Sequence, residues 1–253
     1  MADSTSRATP PTALVLLPTY NERENLPEIA ALLLAQPNVR VLVIDDGSPD
    51  GTGQVADGLA AASSGRLTVM HRTGKRGLGR SYLDGMKAAL ATDAELVFQM
   101  DADLSHDPKY VPHMVAAAAR ADIVIGSRYL QGVSVVNWPL RRLMLSTFAN
   151  WYVRTVTGMQ VRDCTAGFRC WRRQAIAKMP LDRITSEGYS FQVETLFLSL
   201  AAGSTVAEVP IIFVERRVGA SKISGGVIRE SFLTPWRLVL RRLFGRLGLE
   251  PTE

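Results

Sequence analysis

Two stretches of this chain, Val41-Leu42-Val43-Ile44 and Leu96-Val97-Phe98, are apolar without a break. A strand with one wet face alternates polar and apolar residues; a strand covered on both faces does not. Such runs, separated by longer helical patterns, predict a parallel sheet held between two helical layers. Strands are expected at Ala13–Leu17, Arg40–Ile44, Leu67–His71, Glu95–Gln99 and Asp122–Ile125. Between them fall helices at Glu24–Ala35, with Pro27 in its first turn, and at Thr52–Ala62, Gly79–Ala91 and Tyr110–Ala119. The second half is less regular. Leu140–Val156 and Phe191–Ala201 read as helices, and Val206–Val214 as a strand that Pro210 interrupts or confines to an edge. Ile228–Leu247 reads as an amphipathic helix broken near Pro235.

No internal repeat or Gly/Ser linker divides the 253 residues, so one continuous domain is expected, spanning residues 12–226 ahead of a C-terminal segment, 227–253. At 47% hydrophobic and 21% charged the composition is globular, which excludes a disordered or fibrous chain. Residues 1–11 are rich in Ser, Thr and Pro without an apolar core, and read as a disordered arm, not a signal peptide. Cys164 and Cys170 form neither a CxxC nor a disulfide framework, which points to a reducing compartment. No apolar run approaches the roughly 18–20 residues of a membrane span. Charge divides unevenly: residues 1–122 carry 11 Lys/Arg against 15 Asp/Glu, and residues 123–253 carry 18 against 9. A basic second half suits an anionic partner.

Ligands of open α/β sheets bind beyond the carboxyl ends of the strands. Three polar clusters stand there: Pro18-Thr19-Tyr20-Asn21-Glu22, Asp45-Asp46-Gly47-Ser48-Pro49-Asp50-Gly51, and Asp101-Ala102-Asp103. If the strands are parallel, all three meet on one rim. The second is good turn and N-cap chemistry, and Asp46 is also placed to accept hydrogen bonds from a base or ribose. The third sets two carboxylates one residue apart after a buried strand. They repel each other unless a cation lies between them, and a hard divalent ion there would also take diphosphate oxygens. There is no Walker A loop, GxGxxG, metal-spaced His set or Ser–His–Asp triad. Lys75-Arg76-Gly77-Leu78-Gly79 reads as a helix entry that could touch a phosphate. No nucleic-acid-binding pattern accompanies the basic half.

These clusters, with Gly126-Ser127-Arg128-Tyr129, Asp163-Cys164-Thr165-Ala166-Gly167-Phe168-Arg169 and Phe213-Val214-Glu215-Arg216 through Ser221-Lys222, occur in order. Together they resemble the polyprenol-phosphate (dolichol-phosphate) mannosyltransferases, within the inverting family-two glycosyltransferases of GT-A, Rossmann-like fold. The resemblance covers about residues 13–235. It implies that Pro18, Tyr20, Glu22, Ile44 and Asp46 hold the guanosine of GDP-mannose. Asp101 and Asp103 would bind Mg²⁺ or Mn²⁺ and the diphosphate, with Ala102 touching the nucleotide through its backbone. Ser105 stands where some members carry Gln and is the candidate third metal ligand. Arg128 falls at the position contacting the reacting phosphates, and Arg216 and Lys222 match a basic pair over the diphosphate. Arg142 and Ser146, fourteen and eighteen residues after Arg128, fall where the family binds the lipid phosphate. Asp101, Asp103 and Arg128 are thus the candidate catalytic residues.

A phosphate monoester is largely an oxyanion near neutral pH, so the implied transfer to a polyprenyl monophosphate needs no strong base. It needs two anions brought together, and Arg suits that role. Asp163 is weighed as a general base or as a group orienting Arg142 or the metal site. Within the last segment, Arg237, Arg241, Arg242 and Arg246 cluster on one side of a helix. Leu233, Trp236, Val239, Leu240, Leu243, Phe244 and Leu247 cluster on the other, and Leu238 alone breaks the partition. Such a helix suits the cytoplasmic surface of an anionic membrane, or packing on the domain core, and leaves room for a separate integral membrane partner. A UDP-glucose-dependent polyprenyl-phosphate glucosyltransferase and a non-catalytic nucleotide-binding scaffold are the alternatives.

Overall fold

A computed structural model describes residues 11–74, 77–215 and 225–247, with backbone alone at 225–229. The first half alternates as its apolar pattern predicts: β1 (Ala13–Thr19), α1 (Leu26–Leu34), β2 (Val39–Asp45), α2 (Thr52–Ala62), β3 (Leu67–His71), α3 (Leu78–Leu90), β4 (Leu96–Gln99), α4 (Val111–Ala117) and β5 (Ile123–Ser127). Then follow β6 (Val135–Val136), α5 (Leu140–Thr157), β7 (Arg169–Arg172), α6 (Arg173–Ala177), α7 (Gly188–Ala201), β8 (Val206–Pro210), β9 (Phe213–Val214) and α8 (Gly225–Leu243). Seven strands form one sheet in the order β3-β2-β1-β4-β7-β5-β8, and β6 pairs with β9 in a small second sheet. β7 alone runs antiparallel, between β4 and β5.

Both faces of the sheet are covered, which explains the unbroken apolar runs. Leu14, Leu16, Leu42, Ile44 and Val97 face a core shared with α3 and α7. Ala13, Val15, Leu17, Val41, Val43 and Phe98 face the opposite core, with α1 and α4. Each fully buried Leu or Ile contributes roughly 1.5–3 kcal/mol. Gly85 lets α3 lie close on the sheet: a Cβ there would come within 2.5 Å of Ile44 Cδ1. A larger residue at position 85 would lever α3 off β1 and β2.

β1 pairs in parallel with β2 and β4, Thr19 opposite Asp45 and Leu16 opposite Gln99. The loops after these strands therefore share one rim. β5 is antiparallel to β7, which is antiparallel to β4, so Arg128 emerges on the same side.

Three expectations are revised. β6 and β7 were not anticipated. The expected Val206–Val214 strand is two strands: β8 ends at Pro210 on the sheet edge, and β9 pairs elsewhere. The C-terminal helix is not broken at Pro235 but runs through it. Pro235 forfeits one backbone bond at a cost of about 3 kcal/mol, and packing against α7 and α5 outweighs it. Leu238, which breaks the helix's apolar partition on paper, is the side chain that docks, at 1% exposure, while Arg241 reaches Glu194 of α7 at 3.0 Å. Much of the apolar stripe, including Leu233, Trp236, Leu240, Leu243 and Phe244, faces out, as does the neighbouring Phe232.

Candidate active site

The loops after β1 and β2 are stitched together. Asn21 N donates to Ser48 Oγ, Glu22 N to Thr52 Oγ1 and Arg23 N to Asp50 Oδ2. Asp45 accepts from Thr19 Oγ1, Ser48 N and Ser48 Oγ. Asp50, just before the Gly51 cap of α2, accepts from Thr52 N and Oγ1. Burial opposes the charge on Asp50, but these bonds outweigh it and lower its pKa. Asp45 and Asp50 thus shape the loop, which leaves Asp46 as its ligand candidate.

Asp46 is itself engaged: Arg72 Nη1 pairs with Oδ1, and Gly77 N donates to Oδ2 at 2.8 Å. Arg72 also binds Asp84 at 2.8 Å and Ser81 at 3.2 Å. Arg72 was missed from sequence, although it stands immediately after β3, at the strand end next along the rim. Tyr20 and Pro18 are half-buried beside this loop, and Glu22 Oε2 accepts from Asn25 Nδ2. Ile44 is wholly buried against α3, so only its backbone can face a nucleoside.

Asp101 and Asp103 leave the end of β4 in a turn tightened by Leu104, at φ 62°. Tyr82 Oη donates to Asp101 Oδ1 at 3.1 Å, and His106 Nδ1 accepts from Asp101 N at 3.0 Å. Burial, then the Asp101 charge, push the Tyr82 pKa well above its usual value, so it remains a donor. Asp103 Oδ1 accepts from Ser105 N at 3.1 Å and Ser105 Oγ at 2.5 Å. Ser105 is therefore placed to orient Asp103. Ala102 is buried between the two carboxylates. Two hard oxygen donors, each steadied by a hydroxyl, are the donor chemistry that a divalent ion would take. Among the described residues no group of three His, Cys, Asp or Glu forms an all-protein metal cage.

Arg128 is gripped by Asp163: Nε to Oδ2 and Nη2 to Oδ1 are both 2.7 Å, and Arg128 N also donates to Oδ2. Nη2 adds Thr165 Oγ1 at 2.9 Å. Asp163 is 0% exposed. Burial alone would raise its pKa, but the Arg128 charge and bonds outweigh burial and hold it below the carboxylate range. As placed, Asp163 is neither open to an acceptor nor turned to Arg142; it orients Arg128. Arg128 lies against the rings of Tyr129, Trp138 and Phe213. Its Nη1 has no hydrogen bond among the described residues.

Arg142, on the inner face of α5, lies 4.2 Å over the Trp138 ring and pairs with Glu215. Ser146, one turn on, accepts from Tyr129 Oη at 2.8 Å. The opposite face of α5 exposes Leu140, Met144, Phe148 and Trp151. Arg216, Lys222 and the pair Lys75-Arg76 lie outside the described residues.

A GT-A-like α/β sheet with a carboxylate pair and arginines on one rim is the frame of a glycosyltransferase, and the chain belongs to glycosyl transferase family 2, whose model matches residues 14–185. It is 49% identical over 220 residues to the polyprenol monophosphomannose synthase of Mycolicibacterium smegmatis, covering 86% of this chain and 83% of that protein. It is 44% identical over 241 residues to the undecaprenyl-phosphate mannosyltransferase of Micrococcus luteus, covering 93% and 99%. Its fold is similar to crystalline Mycobacterium tuberculosis glucosyl-3-phosphoglycerate synthase in complex with Mn²⁺, uridine-diphosphate-glucose and phosphoglyceric acid. That likeness has a TM-score of 0.62 at 19% identity, over 96% of this chain and 82% of that one.

Proposed function

We propose that the chain transfers mannose from GDP-mannose to a polyprenyl monophosphate, with inversion, giving polyprenyl-phosphate-mannose for lipid-linked mannosylation. The identity to two polyprenyl-phosphate mannosyltransferases over most of the chain carries this reading. The rim supports it chemically. Pro18, Tyr20, Glu22, the Ile44 backbone and Asp46 line the nucleoside side, where Asp46 shares its carboxylate between Arg72 and the incoming base or ribose. Asp101 and Asp103 would hold Mg²⁺ or Mn²⁺, which supplies charge neutralisation for the departing diphosphate. Ser105 steadies Asp103, and Ala102 borders the nucleotide. Arg128 is held in place by Asp163 and offers Nη1 to the reacting phosphates. Arg142 and Ser146 take the acceptor phosphate, while Arg216 and Lys222, outside the described residues, would supply positive charge to the diphosphate. With the acceptor already an oxyanion, catalysis is positioning and electrostatics.

The chain would work as a peripheral protein at the cytoplasmic face of a membrane. No helix among the described residues is long and apolar enough to cross one. α5 and the segment from 231 to 247 instead contain Arg but no Asp or Glu. α5 turns Met144, Phe148 and Trp151 outward, and α8 adds Phe232, Trp236 and Leu240. The two helices meet through Tyr152, stacked on Phe232 at 4.9 Å. An apolar, aromatic, cationic face of this kind matches an anionic bilayer surface. A separate integral membrane protein would strengthen such anchoring.

A donor panel of GDP-mannose, UDP-glucose and UDP-GlcNAc, with a short polyprenyl phosphate and Mg²⁺ or Mn²⁺, tests the reading. Product from GDP-mannose alone is expected; product from UDP-glucose alone would replace it with a glucosyltransferase.

A further inference from the structure

Resting on that reading, we propose that Glu215 is an internal place-holder for the acceptor phosphate, yielding Arg142 to the incoming substrate and reclaiming it from the product. A carboxylate and a phosphate offer a guanidinium the same oxygen pair. Arg142 Nη1 pairs with Glu215 Oε2, and both side chains are about a quarter exposed or less, at 19% and 24%. Solvent and ligand can therefore reach the pair. Its components are fixed from opposite sides. Trp138 covers one face of the Arg142 guanidinium at 4.2 Å, limiting where that group can turn. Glu215 is tied by its own backbone N to Val136 O at 3.1 Å, directly after β9. Arg142 is thus already aimed where a phosphate would sit, with an anion in position.

The reaction changes the charge of the group that competes with Glu215. The C1–O bond to the acceptor phosphate forms as the C1–O bond to the nucleotide breaks, and the electron pair leaves on the β-phosphate oxygen of GDP. The acceptor arrives as a monoester carrying about −1.5 to −2 charge near pH 7. It departs as a diester with a single negative charge. The cost of displacing Glu215 is subtracted equally from both. The dianion remains bound despite that cost, and the weaker monoanion is expelled. A purely structural Glu215 predicts the opposite sign: its loss would loosen Arg142 and weaken binding.

Calorimetric titration of farnesyl phosphate, and of its methyl diester, into the full chain separates the two. Wild type, Glu215→Gln, Arg142→Ala and the double variant are compared. Glu215→Gln should bind both ligands about fivefold more tightly, the scale of one modest ion pair. Its turnover should show stronger inhibition by product. In the Arg142→Ala background the effect of the Glu215→Gln change should be diminished. Unchanged or weaker farnesyl phosphate binding by Glu215→Gln overturns the proposal, as does an undiminished effect without Arg142. If Arg142→Ala leaves wild-type binding intact, the assignment of Arg142 to the acceptor fails, and the place-holder falls with it.

Discussion

The rim of the sheet has two halves that handle charge in opposite ways. Beyond β1, β2 and β4, carboxylates stand at the site, and backbone N–H groups, hydroxyls and Arg72 hold them. Beyond β5 and along α5, arginines stand at the site, and carboxylates hold them. On the proposed reading the first half would meet a cation and a nucleotide, and the second a phosphate. The sequence imbalance of 11 against 15 and 18 against 9 has the same sense, but the Arg128–Asp163 and Arg142–Glu215 pairs are neutral and the excess of the second half comes from other arginines, Arg237, Arg241, Arg242 and Arg246 among them.

Breaking the carboxylate half should have the largest effect. Asp103→Ala is expected to cut transfer about 10³-fold, the upper range for removing one preorganised electrostatic group, with an unchanged circular-dichroism spectrum. Near-normal turnover would remove the metal assignment. On the arginine half, Asp163→Asn leaves Arg128 buried without its counter-charge. It should lose about 3 kcal/mol of unfolding free energy by urea titration. The same pair sets a pH signature. Because the folded pKa of Asp163 lies below its ordinary value, its contribution is complete above about pH 4 and is lost as the pH falls through the folded value. The Asp163→Asn variant should lack that acid limb in a stability–pH profile.

Smaller effects sharpen the contrast between donor and acceptor. Arg142→Ala should raise the KM for polyprenyl phosphate about tenfold while leaving that for GDP-mannose unchanged; equal shifts would erase the division. Paired Phe148→Ser and Trp151→Ser substitutions should lower co-sedimentation with phosphatidylglycerol vesicles about fivefold. Turnover of water-soluble farnesyl phosphate should persist; a parallel loss would mean the outer face of α5 is needed for the fold.

The carboxylate half was the more legible from sequence. Its strands are local, each buried on both faces, and each ends in a cluster within a few residues, so apolar runs alone locate it. The arginine half is assembled from distant partners: Arg128 and Asp163 are 35 positions apart, and Arg142 and Glu215 are 73. No local pattern links them. β7 was missed because Arg169-Cys170-Trp171-Arg172 looks too polar for a central strand. In the fold Arg169 is fully buried, donating to the carbonyls of Ala166, Gln192 and Cys164. Burial lowers its pKa to about 10, so it stays charged at neutral pH. A buried arginine and a solvated one carry the same letter. Leu238 teaches the converse: an isolated apolar residue on a basic stripe marks a docking contact, and most of the conspicuous stripe, Leu247 excepted, is left outside.

α5 sets Arg142 and Ser146 on one side and Phe148 and Trp151 on the other. A helix with its side chains is about 10–12 Å across. On the proposed membrane-surface reading, that span would set how far a headgroup must rise above its neighbours to be glycosylated, with the isoprenoid tail left immersed throughout the cycle. Chain length beyond the first few isoprene units would then be invisible to the protein, and tolerance of long and short carriers would be a matter of geometry.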